Sequence, residues 1–151
     1  MYEKILVPLD GSELAECALS HVIKLVKGGA AKDVTLLNVV EADLPWAESY
    51  GQLIDMLEIR KSLFSNSEKY LADVEARLEA EGFKVKTVSL EGRRPAEIIS
   101  DYARENGMDM IVIATHGYSG LKKIILGSVS FAVLHESSVP VLLIRPESCR
   151  V

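Results

Sequence analysis

The sequence predicts an α/β domain, a single doubly wound, five-stranded parallel sheet with helices on both faces. Three observations predict it. Short apolar runs alternate with stretches of helical periodicity in the order β-α-β-α-β-α-β-α-β, which implies parallel strands joined by helices. The run Met110-Ile111-Val112-Ile113-Ala114 is apolar without a break, as a central strand covered on both faces must be. Small residues and glycines follow it directly, and Gly127-Ser128 then opens another helical stretch.

The bulk properties agree with one globular domain. The chain has 151 residues, 48% hydrophobic and 26% charged, enough to build a core and too apolar for disorder. A net charge of -5 without a basic run disfavours nucleic-acid binding through a positive surface. No apolar stretch approaches the roughly 20 residues that span a bilayer. The N-terminus has no signal-peptide layout, and Cys17 and Cys149 have no metal or redox spacing. Cys17 reads as a small buried apolar residue, and a cytoplasmic, reducing location is expected.

The elements follow in order. Ile5 to Leu9 form the first buried strand, with Pro8 near its end because it lacks an N–H. Asp10-Gly11-Ser12 is a turn in which Asp10 or Ser12 caps the next helix. Ala15, Ala18, Leu19, Val22, Leu25 and Val26 give that helix its apolar stripe, and Gly28-Gly29 end it. Val34 to Val40 form the second strand. An irregular stretch from Glu41 to about Gly51 holds Pro45 and Trp46, Trp46 as a lid residue or a local packing anchor. A long helix runs from about Gln52 to Glu81, and Ser65-Asn66-Ser67 weaken its middle, where a break is possible. Val85 to Leu90 is a mixed-pattern strand suited to a sheet edge. Pro95 starts a helix at its first position, and Gly107 ends it. Met110 to Ala114 is strand four. Val139 to Ile144 is strand five, with Pro140 fitting an outer strand.

In such sheets, ligands bind beyond the carboxyl ends of the strands, where the strand order reverses. Two segments meet that condition: Pro8-Leu9-Asp10, and Ala114 to Gly120. Val39 and Val40 end strand two beside them, with apolar surface for an adenine. Glycines let backbone N–H groups approach a ligand closely, and a helix start adds unpaired donors and a positive dipole end. The loop from strand four to Ser128 is therefore expected to hold the phosphates of a nucleotide. It is not a P-loop, since Gly-x-x-x-x-Gly-Lys-Ser/Thr is absent, and the first strand has no Gly-x-Gly-x-x-Gly after it.

Three blocks carry a family resemblance: Lys-Ile-Leu-Val-Pro-Leu-Asp-Gly-Ser at 4–12, Ala-Thr-His-Gly with Gly-Ser-Val-Ser at 114–130, and Ser-Val-Pro-Val-Leu-Leu-Ile-Arg-Pro at 138–146. Together, over the whole chain, they resemble the universal stress protein family. The fold implied is Rossmann-like, of the adenine nucleotide alpha hydrolase-like kind. ATP-binding members of that family carry Gly-x-x-Gly, nine residues, then Gly-Ser or Gly-Thr. Gly117, Gly127 and Ser128 match, and Ala114 replaces the first glycine. The turn Gly92-Arg93-Arg94-Pro95 is a residue longer than is usual in the family and lies away from the phosphate loop.

The resemblance implies roles by position. Pro8, Leu9 and Asp10 line the adenosine end, with Asp10 near the ribose or a metal. Val39 meets the adenine by backbone and side chain, and Ile113 and Ala114 flank the sugar. Gly117, Gly120, Gly127, Ser128, Val129 and Ser130 belong to the phosphate loop, with His116 either reaching a phosphate or idle. Ser128 is otherwise a simple helix cap, and Asp10 likewise. The function implied is an ATP-binding regulatory protein of the stress response, binding ATP with magnesium and pairing as a homodimer through the last strand, with unknown protein partners, no nucleic acid and no membrane. The alternatives are a weak ATP hydrolase, with Asp10 and His116 as its only candidate groups, and an interaction module that ignores nucleotide. The Ser-Gly-Gly-x-Asp-Ser and His-x-Gly-His signatures of related adenylating and pyrophosphatase enzymes are absent.

Overall fold

The computed structural model describes residues 2–41, 53–115 and 127–145. Its elements are β1 (Tyr2–Pro8), α1 (Glu13–Lys27), β2 (Ala31–Val40), α2 (Leu53–Ala80), β3 (Lys86–Glu91), α3 (Pro95–Glu105), β4 (Met110–Ala114), α4 (Ser128–Glu136) and β5 (Val141–Ile144). The strands form one five-stranded sheet in the order β3-β2-β1-β4-β5, every pair parallel. The chain walks outward from β1 to β3, then returns to lay β4 on the other side of β1. The reversal therefore falls between β1 and β4.

Period-two alternation divides the core. Ile5 and Val7 of β1, Val34 and Leu36 of β2, and Met110 and Val112 of β4 face α1 and α2, meeting Ala18, Val22, Leu71 and Val74. Leu6, Leu37, Ile111 and Ile113 face α3 and α4, meeting Ala96, Ile99, Ala103 and Val133. Ile5, Leu6, Val7, Leu36, Leu37, Ile111 and Val112 are fully buried. Each such side chain contributes about 1.5–3 kcal/mol of transfer free energy, so these two seams hold the layers together.

The boundaries shift modestly from the expected ones. β1 and β2 start earlier, β3 starts at Lys86 rather than Val85, and β5 at Val141 rather than Val139. β3 and β5 are the sheet edges, as read. α2 does not break at Ser65-Asn66-Ser67. Ser67 is buried there, and its hydroxyl bonds to Asn38 and Ser89 (2.6 and 2.7 Å), so the polar residue is satisfied without interrupting the helix. Arg77 of α2 pairs with Glu16 of α1 across the same face. Cys17 is buried, as expected. Cys149, Pro45 and Trp46 lie outside the described residues.

Candidate functional site

The site begins at the end of β1. Pro8 closes the strand, and Asp10-Gly11-Ser12 turns the chain into α1. Gly11 sits at φ +88°, a backbone conformation that disfavours any side chain. Ser12 is the helix cap: its Oγ accepts from the Ala15 N–H at 3.1 Å. Asp10 is not the cap. Its Oδ1 accepts from the Ser12 N–H (2.9 Å) and from the Ser12 hydroxyl (2.6 Å), so it orients the capping serine.

Tyr70 of α2 is a partly buried neighbour of this turn, with the Gly11 backbone nearby but no well-formed hydrogen bond to its hydroxyl among the described residues. Burial, and then the carboxylates of Glu16 and Asp10, push its phenol up to about 12. An acid whose folded pKa is raised stabilises the fold fully below its unfolded pKa of about 10 and loses that contribution as pH climbs through the folded value. The expected result is an alkaline loss of stability between about pH 10 and 12 that Tyr70→Phe makes shallower. At neutral pH the same variant should melt no lower than the parent, because it deletes a buried hydroxyl that lacks a well-formed hydrogen bond. Melting curves across that pH range check both.

On the other side of the reversal point, β4 ends at Ala114. Thr115 is buried, with its N–H on the Ile144 carbonyl at 2.9 Å. α4 then begins. Gly127 is its N-cap, in an extended conformation, with no side-chain cap. The first helical bond runs from the Phe131 N–H to the Gly127 carbonyl, so the amides of Ser128, Val129 and Ser130 have no intrahelical acceptor. Ser128 is therefore the first helical residue and not a cap. The Ser130 hydroxyl donates to the Gly127 carbonyl at 3.1 Å, so Ser130 presents its N–H rather than its hydroxyl.

Between these two helix starts lies a cleft of about 340 Å³ at the carboxyl edge of the sheet. Small-molecule sites begin at about 300 Å³, so the cleft is large enough for a small-molecule ligand. Of the residues expected at the site, Pro8, Leu9, Asp10, Val39, Ile113, Ala114, Val129 and Ser130 line it. Gly127 and Ser128 adjoin it without lining it. His116, Gly117 and Gly120 lie outside the described residues. Ala114 also packs against the α1 side of the core, which gives its methyl a structural neighbour besides the cleft.

Sequence reasoning missed Asn38, Pro95 and Ile99, which also line the cleft. Asn38 could have been found as the one side-chain amide in an otherwise apolar run. Pro95 belongs to the turn placed away from the phosphate loop, and Ile99 to the helix that follows it. Every helix in a parallel α/β sheet starts at the carboxyl edge, which brings the first turn of α3 to the same opening. Among the described residues no three His, Cys, Asp or Glu side chains cluster to hold a metal, and no helix is long and apolar enough to cross a membrane.

Known proteins resemble this chain throughout its length. "Universal stress protein MJ0577" of Methanocaldococcus jannaschii is 38% identical over 157 residues, covering 96% of each chain. The solved structure of MJ0577 superposes with a TM-score of 0.77 at 37% identity, again covering 96% of both chains. Two more distant structures share the fold at 18% identity. One is a universal stress protein in complex with cAMP (TM-score 0.57, covering 96% of this chain and 98% of that one). The other is an Arabidopsis thaliana universal stress protein family protein with AMP bound (0.65, covering 95% and 91%). The family model described as the universal stress protein family matches residues 1–145. With a relative this similar along almost all of both chains, and with the sheet order observed, the chain belongs to the universal stress protein family.

Proposed function

We propose that this protein binds ATP in the cleft between β1 and β4 and acts as a nucleotide-responsive regulator of the stress response. The observation that carries the proposal is the start of α4. Three amides without helical acceptors stand at the rim of the cleft, where helix dipole and donors together favour an anion. In this reading the phosphates lie on the amides of 128–130, with Gly117, Gly120 and Gly127 in the loop and His116 near the phosphates. The ribose meets Asp10 through Oδ2, because Oδ1 holds Ser12. The adenine packs between Val39, Ile113 and the first turn of α3. Magnesium suits a cleft that offers few carboxylates, Asp10 and Glu41 among the described lining residues, because it keeps most of its waters and binds mainly through the phosphates.

The reading is regulation rather than turnover: nucleotide shifts the population of surfaces that a partner meets. A protein responding to ATP belongs where ATP is plentiful, in the cytoplasm. Pairing as a homodimer through β5 is part of the same proposal. β5 is an edge strand, and Leu142 on it, with Phe131 and Leu134 on α4, is exposed. Native mass spectrometry of the purified protein tests both parts. The expected spectrum is a dimer carrying an adenine nucleotide, with Leu142→Asp shifting the mass to the monomer. No nucleotide bound at millimolar ATP with magnesium would remove the ligand reading, and a monomeric parent would remove the dimer.

A further inference from the structure

The end of β2 departs from regular sheet pairing in a way that concerns the base. The Leu9 N–H donates to the Leu37 carbonyl at 2.8 Å, so residue 37, and by alternation residue 39, direct their backbone groups toward β1. The Gly92 N–H donates to the Val40 carbonyl at 3.1 Å, which confirms that 38 and 40 point the other way, to β3. The next rung of the β1–β2 ladder would run from the Val39 N–H to the Leu9 carbonyl. It is not formed: the register stops at Pro8↔Leu37. The Leu9 carbonyl instead accepts from the Asn38 side chain, Nδ2 to O, at 2.7 Å.

A relay of hydroxyls holds that amide. Only its NH₂ end can face a carbonyl, so Oδ1 is left facing α2, where the buried Ser67 hydroxyl donates to it at 2.6 Å. Having used its one proton there, Ser67 accepts from Ser89 of β3 at 2.7 Å. Asn38 is thus tied to β1, α2 and β3 at once.

We propose that Asn38 is a positioning residue for base recognition. By occupying the Leu9 carbonyl it keeps the Val39 N–H and C=O off the sheet ladder and turned to the cleft. This deepens the ATP reading and rests on it. A paired main-chain donor and acceptor matches the Watson–Crick edge of adenine, an amino donor beside a ring-nitrogen acceptor. Guanine presents an acceptor beside an N–H donor, the reverse order, and leaves both protein groups unpaired. Asn38 therefore sets the preference for adenine without touching the base.

The test joins amide hydrogen exchange at Val39 with ATP and GTP titrations, on the full-length parent and Asn38→Ala. In the ligand-free parent the Val39 amide should exchange quickly, and bound ATP should slow it. In Asn38→Ala the missing rung closes, so Val39 should be protected without ligand. ATP affinity should fall about tenfold and the preference over GTP should shrink, as expected for losing a pair of hydrogen bonds. Asn38→Asp, which keeps the acceptor for Ser67 and sets a second oxygen against Leu9, gives the same result should the alanine variant not fold. Equal Val39 protection in parent and variant, or unchanged affinity and preference, overturns the proposal. A parent that binds no adenine nucleotide overturns the ATP reading instead, and the ligand-free exchange comparison then decides alone whether Asn38 holds the ladder open.

Discussion

Ser128→Pro is expected to weaken ATP binding by about 10–150-fold and to leave the melting temperature where it is. Proline is tolerated at the first position of a helix, where its missing N–H has no intrahelical acceptor to lose. The residue before a proline must be extended, and Gly127 already is, at φ -60° and ψ 153°. The substitution therefore removes one of the three amides without a helical acceptor at the start of α4 and little else in the fold. A hydrogen bond to a charged group is worth about 1.5–3 kcal/mol, which gives the range above. Ser128→Ala separates the hydroxyl from the amide and should cost much less. Calorimetric titration with ATP reads both. Unchanged affinity in Ser128→Pro would mean that the phosphates lie elsewhere.

Ile111→Ala is expected to destabilise the domain by about 2–5 kcal/mol, lowering the melting temperature by roughly 4–20 °C. Ile111 is fully buried on β4, packed among Leu6, Ile99 and Val133. Its loss removes methyl contacts and leaves a cavity between two helices and the sheet that cannot close without moving both. Leu134→Ala is the comparison: 44% exposed on α4, it should change the monomer's stability by less than about 0.5 kcal/mol. Equal effects would mean that the face toward α3 and α4 is not a packed core.

The sheet and the edge that carries the cleft were legible before any coordinates. Met110 to Ala114 is short, apolar and flanked by glycine and polar residues, and an apolar run of that length is hard to hide in anything but a covered strand. The alternation of runs and helical stripes then leaves parallel pairing as the simple solution. Eight of the thirteen residues expected at the site line the cleft. They were readable because strand ends and glycine turns are local features, decided by a handful of consecutive residues.

What could not be read depends on groups far apart in the chain. Local pattern allowed Asp10 or Ser12 as the cap, and only the folded turn shows that the serine caps while the aspartate orients it. The Ser130 hydroxyl turns to the Gly127 carbonyl, a partner that it meets only once the helix has formed. Ser67 looked like a helix breaker, since its partners Asn38 and Ser89 come from two other strands, and no periodicity reports a hydrogen bond across 22 to 29 residues. Apolar pattern and turn chemistry are carried by neighbours along the chain, so they settle the architecture. Polar groups take whatever partner the fold brings within three ångströms, so their roles are assigned only once the layers have packed.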